Sequence, residues 1–329
     1  MKKPKKLFIS PLSPLFDEFV RFRKASKRWN QTDEITLRAF DKHCAINFPN
    51  HKSICEDMLK WCKERPVEHG NSCYRRILVV TKFIEYTNAN GHTQVEPPNL
   101  PSQKRSTYIP HAFEEEELTR FFAECDRYSL SFDIHKGPNF RTNRLNRMEL
   151  PVFFRLMFST GMRTVELREL RRADVDFEHG IININKSKGY GQHRVALHHT
   201  TWKLLKLYDI KMDSIMPSRT IFFPNTKDQS RPPRWHDYHF RKIWDAVNIT
   251  GVRLYDLRSN YAVTNISKWK HLGFTIGEKL IHLSRSMGHC NLNQTYSYFT
   301  ISPILADKLK DLSEKSFNNL LPKINYDEI

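Results

Sequence analysis

The chain has 329 residues, enough for two domains of ordinary size, because a typical domain holds roughly 100 to 200 residues. Its 53 Lys and Arg outnumber its 36 Asp and Glu, and the net charge of +17 favours a phosphate-rich partner, nucleic acid before an anionic membrane surface. The six cysteines include no C-x-x-C pair, and no apolar run approaches the roughly 20 residues of a membrane span, so a disulfide framework, a zinc knuckle and a membrane protein are disfavoured. We expect a soluble, unprocessed protein with free thiols in a reducing cytosol.

The first predicted elements are four helices, because apolar residues recur at helical spacing within 15–22, 35–44, 54–62 and 74–84. Basic residues lie between the apolar ones, so the exposed faces could follow a DNA backbone through phosphate contacts. A solvated helix face explains those charges equally well.

The proline-containing stretch 95–110 has no periodicity and predicts a linker. We therefore predict a helical domain over residues 1–94, the linker over 95–110, and a second domain over 111–329.

The second domain is predicted to begin with the helix "HAFEEEELTRFFAECD", whose early glutamates complement a helix dipole. A buried helix, "PVFFRLMFS", is followed by two predicted strands, "GIININ" and "HRVAL", which the turn "KSKGYGQ" joins. The remaining predicted elements are helices: "WHDYHFRKIWDAV", "DLRSNYAVTNISKW", "TIGEKLIHLSRSM" and "ILADKLKDLSEKSFNNLL". The fold class is thus mainly α with a small β-hairpin in the second domain, an α+β arrangement. The sequence contains no repeat, Walker loop or G-x-G-x-x-G.

Two arginines are candidate anion ligands, because a guanidinium keeps its charge and can hold two phosphate oxygens. Arg163 follows Gly161, where the buried helix ends and another begins, so its side chain and backbone amides could face one anion. Arg258 opens a later helix. For either arginine alone, a structural salt bridge or a solvated surface is the simpler interpretation.

Three other residue types could do chemistry. Lys188, near the hairpin tip, could reach a ligand and donate a proton, although a lysine in a polar turn is usually only solubilising. His289 follows Gly288 at a helix junction, and an isolated histidine is more often structural than catalytic. Tyr298 lies among polar residues nine positions after His289, with Tyr296 as its rival for the role of nucleophile.

The segment "HDYH", with His236, Asp237 and His239, has the residue types of a metal site. We interpret it as the surface of a helix, and we expect neither a metal nor a cofactor.

In their order and spacing, these motifs resemble those of the tyrosine recombinase, or phage integrase, family. "TGMRTVEL" is similar to the family's T-G-x-R-x-x-E-L, "YDLR" to its H-x-x-R box, and "MGHCNLNQTYSY" to its L-G-H with T-x-x-Y. The hairpin "IININKSKGYGQHRVAL" is similar to the family's lysine-bearing hairpin. The resemblance covers essentially the whole chain and implies the site residues Arg163, Glu166, Lys188, Tyr255, Arg258, His289 and Tyr298.

One position departs from the family pattern. The H-x-x-R box usually begins with histidine, and this chain has Tyr255 there. A phenol with an unperturbed pKa near 10 can donate a hydrogen bond to a phosphate oxygen but is a poor base near neutral pH. Either another group supplies the base, or the activity is reduced. The change from "R-x-V-P-L" to "RVAL" at the end of the hairpin is expected to be harmless.

The resemblance implies that the chain cuts and rejoins DNA through a covalent 3′-phosphotyrosine on Tyr298, without ATP. Arg163 and Arg258 would stabilise the transition state, with Glu166 supporting the site and His289 donating a hydrogen bond. Lys188 would be the general acid for the departing 5′-oxygen.

The expected partners are double-stranded DNA, three further copies of the chain on paired sites, and accessory DNA-bending or directionality proteins. We expect a recombinase of a mobile genetic element that works in the cytoplasm on nucleoid DNA, and no membrane partner. The leucine stripe of residues 305–312 would either pack on its own domain or dock on a neighbouring protomer.

Two alternatives remain open at this point. One is a type IB topoisomerase-like nicking activity, which shares the catalytic residue types without recognising paired sites. The other is a non-catalytic DNA-binding protein derived from a recombinase, which Tyr255 keeps under consideration.

Overall fold

The computed structural model describes residues 7–68, 70–104, 108–185, 192–249, 251–268, 276–289, 291–296 and 298. The chain divides into two compact units, Met1–Thr107 and Tyr108–Ile329. Within the described ranges, no helix combines the length and the apolar character needed to cross a membrane.

The first unit contains the four helical segments that the periodicity predicts. They are α1 (Ser13–Ala25), α2 (Gln31–Asn47), a 3₁₀ helix (Glu56–Cys62) and α3 (Gly70–Ala89). Asn30 starts α2, because its side chain accepts a hydrogen bond from the backbone N–H of Asp33 and so satisfies a free helix donor. The core is aromatic: Phe16 stacks on Phe83 with ring centroids 4.4 Å apart, and both rings are fully buried.

The proline-containing segment that follows α3 packs along the first unit. Thr81 donates a hydrogen bond to the carbonyl oxygen of Pro98 (3.3 Å). Asn71 and Lys104 exchange two hydrogen bonds of 2.7 and 2.9 Å through the Asn71 amide and the Lys104 backbone. Residues 95–104 are therefore held in place by side chains of α3.

The second unit is mainly helical with one small antiparallel sheet. Its helices are α4 (Glu115–Leu130), α5 (Phe140–Thr160), α6 (Thr164–Arg168), α7 (His199–Asp213), α8 (Trp235–Val247), α9 (Asp256–Lys268), α10 (Ile276–Ser286) and α11 (Asn293–Tyr296). The strands β1 (Val175–Asp176), β2 (Ile181–Ile184) and β3 (His193–Ala196) pair in that order, with Ile182 opposite Val195. Helix α7 and strand β1 were not predicted.

Helix α5 is the centre of this unit. It packs against α4, α7 and α9, and Phe153 and Phe154 on it are fully buried. The helix ends at Gly161, whose φ of 63° lies in the left-handed region that favours glycine. A Cβ at Gly161 would overlap the ring of Tyr261 on α9, so the turn needs glycine for space as well as for conformation. This close approach brings the start of α6 beside α9.

The interpretation of "HDYH" as a helix surface is wrong for its two histidines. His236 and His239 are each only 5% exposed, because both lie on the apolar face that α8 turns toward the core. The Tyr128 hydroxyl lies 3.1 Å from His239 Nδ1, and burial lowers the pKa of His239 to about 4, so this ring is neutral. No three His, Cys, Asp or Glu side chains among the described residues are arranged to hold a metal ion.

Candidate active site

Arg163 stands in the turn between α5 and α6, where its backbone and side chain are held by the same carboxylate. Its backbone N–H donates to Glu166 Oε2 (2.8 Å), and its Nη1 donates to Glu166 Oε1 (2.6 Å). Its Nη2 donates to the carbonyl oxygen of Gly288, 125 residues away in the chain (2.6 Å). Glu166 is buried, and both of its oxygens accept hydrogen bonds from Arg163. The guanidinium thereby joins α6 to the turn after α10.

Arg258, in the first turn of α9, is completely buried. Its Nη1 donates to the carbonyl oxygen of Gly161, and its Nη2 donates to that of Met287 (2.7 Å) and lies 3.0 Å from His289 Nε2. These partners are electrically neutral, and within the described part of the chain Arg258 has no carboxylate partner. An enclosed guanidinium without a counter-ion is costly, and an anion that reaches it repays that cost.

His289 follows the turn at Gly288 and lies between two polar partners. Its Nδ1 is 2.6 Å from the Thr295 hydroxyl, and its Nε2 faces Arg258. Burial, followed by the charges of Arg258 and Arg163, lowers the pKa of His289 to about 4. The ring is therefore neutral near pH 7.

Tyr298 is only 7% exposed and lies against the same cluster. Its ring stacks on His289 at an interplanar angle of 18°, with centroids 5.9 Å apart. Burial raises the pKa of Tyr298, while the positive charge of Arg258 acts in the opposite direction. The ring belongs to an apolar cluster with side chains of α9, of α10 and of the residue that follows α10: Ala262, Ile266, Leu283 and Met287.

The two other tyrosines of the motif region are more accessible. Tyr255 is 48% exposed, and its ring centroid is 6.0 Å from the guanidinium carbon of Arg258. Tyr296 is 52% exposed at the end of α11 and does not belong to the apolar cluster around Tyr298. Of the predicted site residues, the fold thus brings together Arg163, Glu166, Tyr255, Arg258, His289 and Tyr298. Lys188 and the leucine stripe of residues 305–312 lie outside the described residues.

The chain matches known proteins over most of its length. The family model described as "Phage integrase family" matches residues 114–271. Integrase/recombinase y4rE of Sinorhizobium fredii is 25% identical over 86% of this chain and 88% of that protein. Tyrosine recombinase XerC of Staphylococcus carnosus is 22% identical over 69% of this chain and 70% of that protein. The family model and these relatives support the tyrosine recombinase family for this chain.

Solved recombinase structures have the same fold. A XerH site-specific recombinase bound to palindromic difH substrate covers 93% of this chain and 84% of its own, with a TM-score of 0.60 at 18% identity. A lambda integrase tetramer bound to a Holliday junction covers 87% of this chain and 76% of its own, with a TM-score of 0.57 at 14% identity. The predicted family, the mainly helical fold and the class of enzyme, a tyrosine-type site-specific recombinase, are confirmed.

Sequence reasoning missed one residue of this recombinase site. His193 is the first residue of β3, its side chain is only 5% exposed, and its Nε2 is 3.9 Å from Glu166 Oε2. A Cβ on Gly288 would lie 2.5 Å from His193 Cε1 and 2.9 Å from Arg163 Nη1. Position 288 thus needs glycine for two reasons: a side chain would collide with its neighbours, and its φ of 62° lies in the left-handed region. The "HRVAL" segment gives only a strand signal, so nothing in the sequence placed its histidine here.

Proposed function

We propose that this recombinase breaks and rejoins DNA at a specific site through a 3′-phosphotyrosine on Tyr298. The observation that supports the proposal is the convergence of Arg163, Arg258, His289 and Tyr298 from three separate stretches of the chain. Arg258 supplies buried positive charge that its neutral partners leave uncompensated, and this charge acts on the phenol of Tyr298.

The chemistry divides among these side chains. The Tyr298 oxygen attacks phosphorus, a P–O bond to tyrosine forms, and the bond to the 5′-oxygen breaks. The tyrosine proton leaves to a base, and Lys188 gives a proton to the departing 5′-oxygen, which becomes a hydroxyl. Arg163 and Arg258 stabilise the charge that builds on the two other phosphoryl oxygens. Attack of a DNA 5′-hydroxyl on the phosphotyrosine reverses these steps and joins the strands.

Tyr298 must gain access to the phosphate before it can attack. With 7% of its surface exposed, the ring is enclosed by α9, α10 and His289. The proposal therefore includes a movement of the Tyr298 segment when DNA engages Arg258, which opens a path between the phenol oxygen and phosphorus.

The proposed substrate is double-stranded DNA, in keeping with the net charge of +17. We assign the helical domain of residues 1–94 to DNA binding, residues 95–110 to a linker and residues 111–329 to catalysis. The lambda integrase structure is a tetramer on a Holliday junction, and we propose a tetramer of this chain on paired sites, with accessory DNA-bending proteins as further partners. A DNA substrate and the five free cysteines of the described residues suit the cytoplasm.

The decisive experiment is covalent trapping. Wild type, Tyr298→Phe and Tyr296→Phe are incubated with nicked duplexes tiled across the DNA flanking the gene, and the products are separated on a denaturing gel. We expect a protein–DNA band with wild type and Tyr296→Phe and none with Tyr298→Phe, although all three bind the same DNA. Binding by wild type without any covalent band on any tile would favour the non-catalytic DNA-binding alternative. A band that is present with Tyr298→Phe and absent with Tyr296→Phe would show that Tyr296 is the nucleophile.

Assembly is tested separately by deleting residues from 303 onward. If the leucine stripe of residues 305–312 docks on a neighbouring protomer, the deletion weakens tetramer formation on paired sites more than binding to a single site. Equal assembly by the full chain and the deletion variant in sedimentation experiments would refute docking.

A further inference from the structure

The two partners of His289 determine which of its ring nitrogens carries the proton. A guanidinium has only donors, so Nε2, 3.0 Å from Arg258 Nη2, must accept a hydrogen bond. The neutral ring then carries its proton on Nδ1 and donates it to the Thr295 hydroxyl at 2.6 Å. His289 is therefore the Nδ1–H tautomer in this structure.

This tautomer conflicts with the role that the family resemblance implies for His289, which is to donate a hydrogen bond to the phosphate. The ring edge at Nε2 faces the phosphate-binding arginine, and a nitrogen without a proton cannot donate to a phosphate oxygen. Two changes would provide the donor. His289 could gain a proton at Nε2 and become charged, or it could lose the Nδ1 proton and gain one at Nε2 while remaining neutral.

The surroundings of His289 favour the neutral route. Among the described residues, the charged groups that face it are Arg258 from α9 and Arg163 and Glu166 at the start of α6. Its titratable neighbours are His193 from β3 and Tyr298, whose ring stacks on it. Two guanidiniums against one carboxylate oppose a further positive charge, and burial acts in the same direction.

Thr295 is suited to both neutral tautomers. Its hydroxyl can accept from Nδ1–H or, after rotating about its C–O bond, donate to a deprotonated Nδ1. The side chain is completely buried, and its backbone N–H donates to the carbonyl oxygen of Leu292 (2.8 Å), so the hydroxyl keeps its position while its proton changes direction. An alkyl side chain of the same shape would satisfy neither tautomer.

We propose that Thr295 is a positioning residue whose hydroxyl lets neutral His289 exchange tautomers, so that Nε2 accepts from Arg258 in one state and donates to the scissile phosphate in the other. In the exchange, one proton leaves Nδ1 for water and one reaches Nε2 from water, so the charge of the ring does not change. The second state depends on the proposed function, whereas the first is a property of the protein alone.

The tautomer is measured directly by nitrogen NMR on protein labelled with ¹⁵N-histidine, with His289→Gln used to assign the signals. We expect the Nδ1–H tautomer of His289 in protein without DNA and the Nε2–H tautomer after a nicked duplex is added. An Nε2–H signal before DNA is added, or two protonated nitrogens afterwards, would overturn the proposal. If no DNA is ever cleaved, the proposed function fails, and the measurement without DNA still tests the tautomer.

The role of the hydroxyl is measured with Thr295→Ser and Thr295→Val in single-turnover cleavage. We expect Thr295→Ser to cleave at nearly the wild-type rate and Thr295→Val to be slower by about tenfold or more with unchanged DNA affinity, since a histidine held in the wrong tautomer is a poor catalyst. A neutral donor also predicts that the wild-type rate does not fall as the pH rises from about 5.5 to 7.5, the range in which an ordinary imidazolium loses its proton. Equal losses of cleavage rate in both variants, or no loss in Thr295→Val, would refute the proposed role of the Thr295 hydroxyl. A wild-type rate that falls across this pH range would refute the neutral donor.

Discussion

Two arginines of the second unit have fully buried side chains but differ in the charge of their hydrogen-bond partners. Arg219, whose side chain has no exposed surface, contacts Asp209 and donates to Asp213 (2.7 Å). Arg172 binds the same two aspartates, so two positive and two negative charges are paired. Arg258 is also completely buried, and its hydrogen bonds go to two carbonyl oxygens and a neutral imidazole.

The difference separates a structural charge from a functional one. The positive charge of Arg219 is neutralised within the protein, and the group of four side chains ties α7 to the loop after it and to the turn before β1. The positive charge of Arg258 is held in position by dipoles and remains available to an anion. Burial alone does not distinguish the two arginines, whereas the charge of their partners does.

The sharpest test of this contrast is Arg258→Met. We expect cleavage to fall by about 10²- to 10³-fold, the loss found when one donor to a transition-state oxyanion is removed. The stability should change little, because two carbonyl oxygens lose a donor while an uncompensated buried charge is removed. Single-turnover cleavage and denaturant unfolding measure the two effects. A variant that cleaves normally but unfolds easily would make Arg258 a structural residue.

The converse test is Arg219→Met. We expect the free energy of unfolding to fall by about 3 kcal/mol, the low end for breaking a buried ion pair, because Arg172 still binds both aspartates. Cleavage by the folded protein should be unchanged, since Arg219 is not among the groups that contact Tyr298 or His289. Loss of cleavage without loss of stability would contradict the comparison.

Gly288→Ala tests how closely the functional cluster is packed. The added Cβ meets His193 and Arg163, and the φ of 62° strains any side chain, so we expect roughly tenfold slower cleavage and a loss of about 1–3 kcal/mol. The matched control is Gly91→Ala in the first unit, where φ is 73° and no heavy atom lies within 4 Å of the added Cβ. The control should lose stability through backbone strain but keep its activity. Equal activity of the two variants would show that the contacts of Gly288 do not position Arg163.

The neutral histidines predict how stability depends on pH. The pKa of His239 is lowered from 6.5 to about 4 in the folded protein, so between these values the unfolded chain binds more protons. The free energy of unfolding should therefore fall as the pH falls from 6.5 to 4. We expect His239→Gln to reduce that slope and His282→Gln, at an exposed position, to leave it unchanged. An unchanged slope in His239→Gln would mean that His239 does not cause the pH dependence of the free energy of unfolding.

The smallest effect is expected for Tyr255→His, which restores the residue usual in the family. Because position 255 is half exposed beside Arg258, histidine fits without repacking, and a better base should keep or raise the cleavage rate. Rates measured across pH 6 to 9 on the same nicked duplex test this. A large drop would show that the phenol has a role of its own.

Most secondary-structure elements and the residue types of the site could be predicted from the order of amino acids alone. Helical periodicity predicted most of the helices, and the motifs around Arg163, Arg258 and His289 carried the family resemblance, because both signals are local. The sequence also indicated that Gly161 ends a helix before Arg163, since glycine is the usual residue at such an end.

Which buried charges are compensated could not be predicted in this way and became visible in the folded chain. The carbonyl partners of Arg258 come from Gly161 and Met287, which local patterns cannot pair with it, and the same packing encloses Tyr298 and adds His193. His236 and His239 are buried for the same reason, because the elements that pack against a helix determine which of its faces is buried. Burial and charge balance are sums over neighbours distant in the chain, so they exist only once the chain has folded.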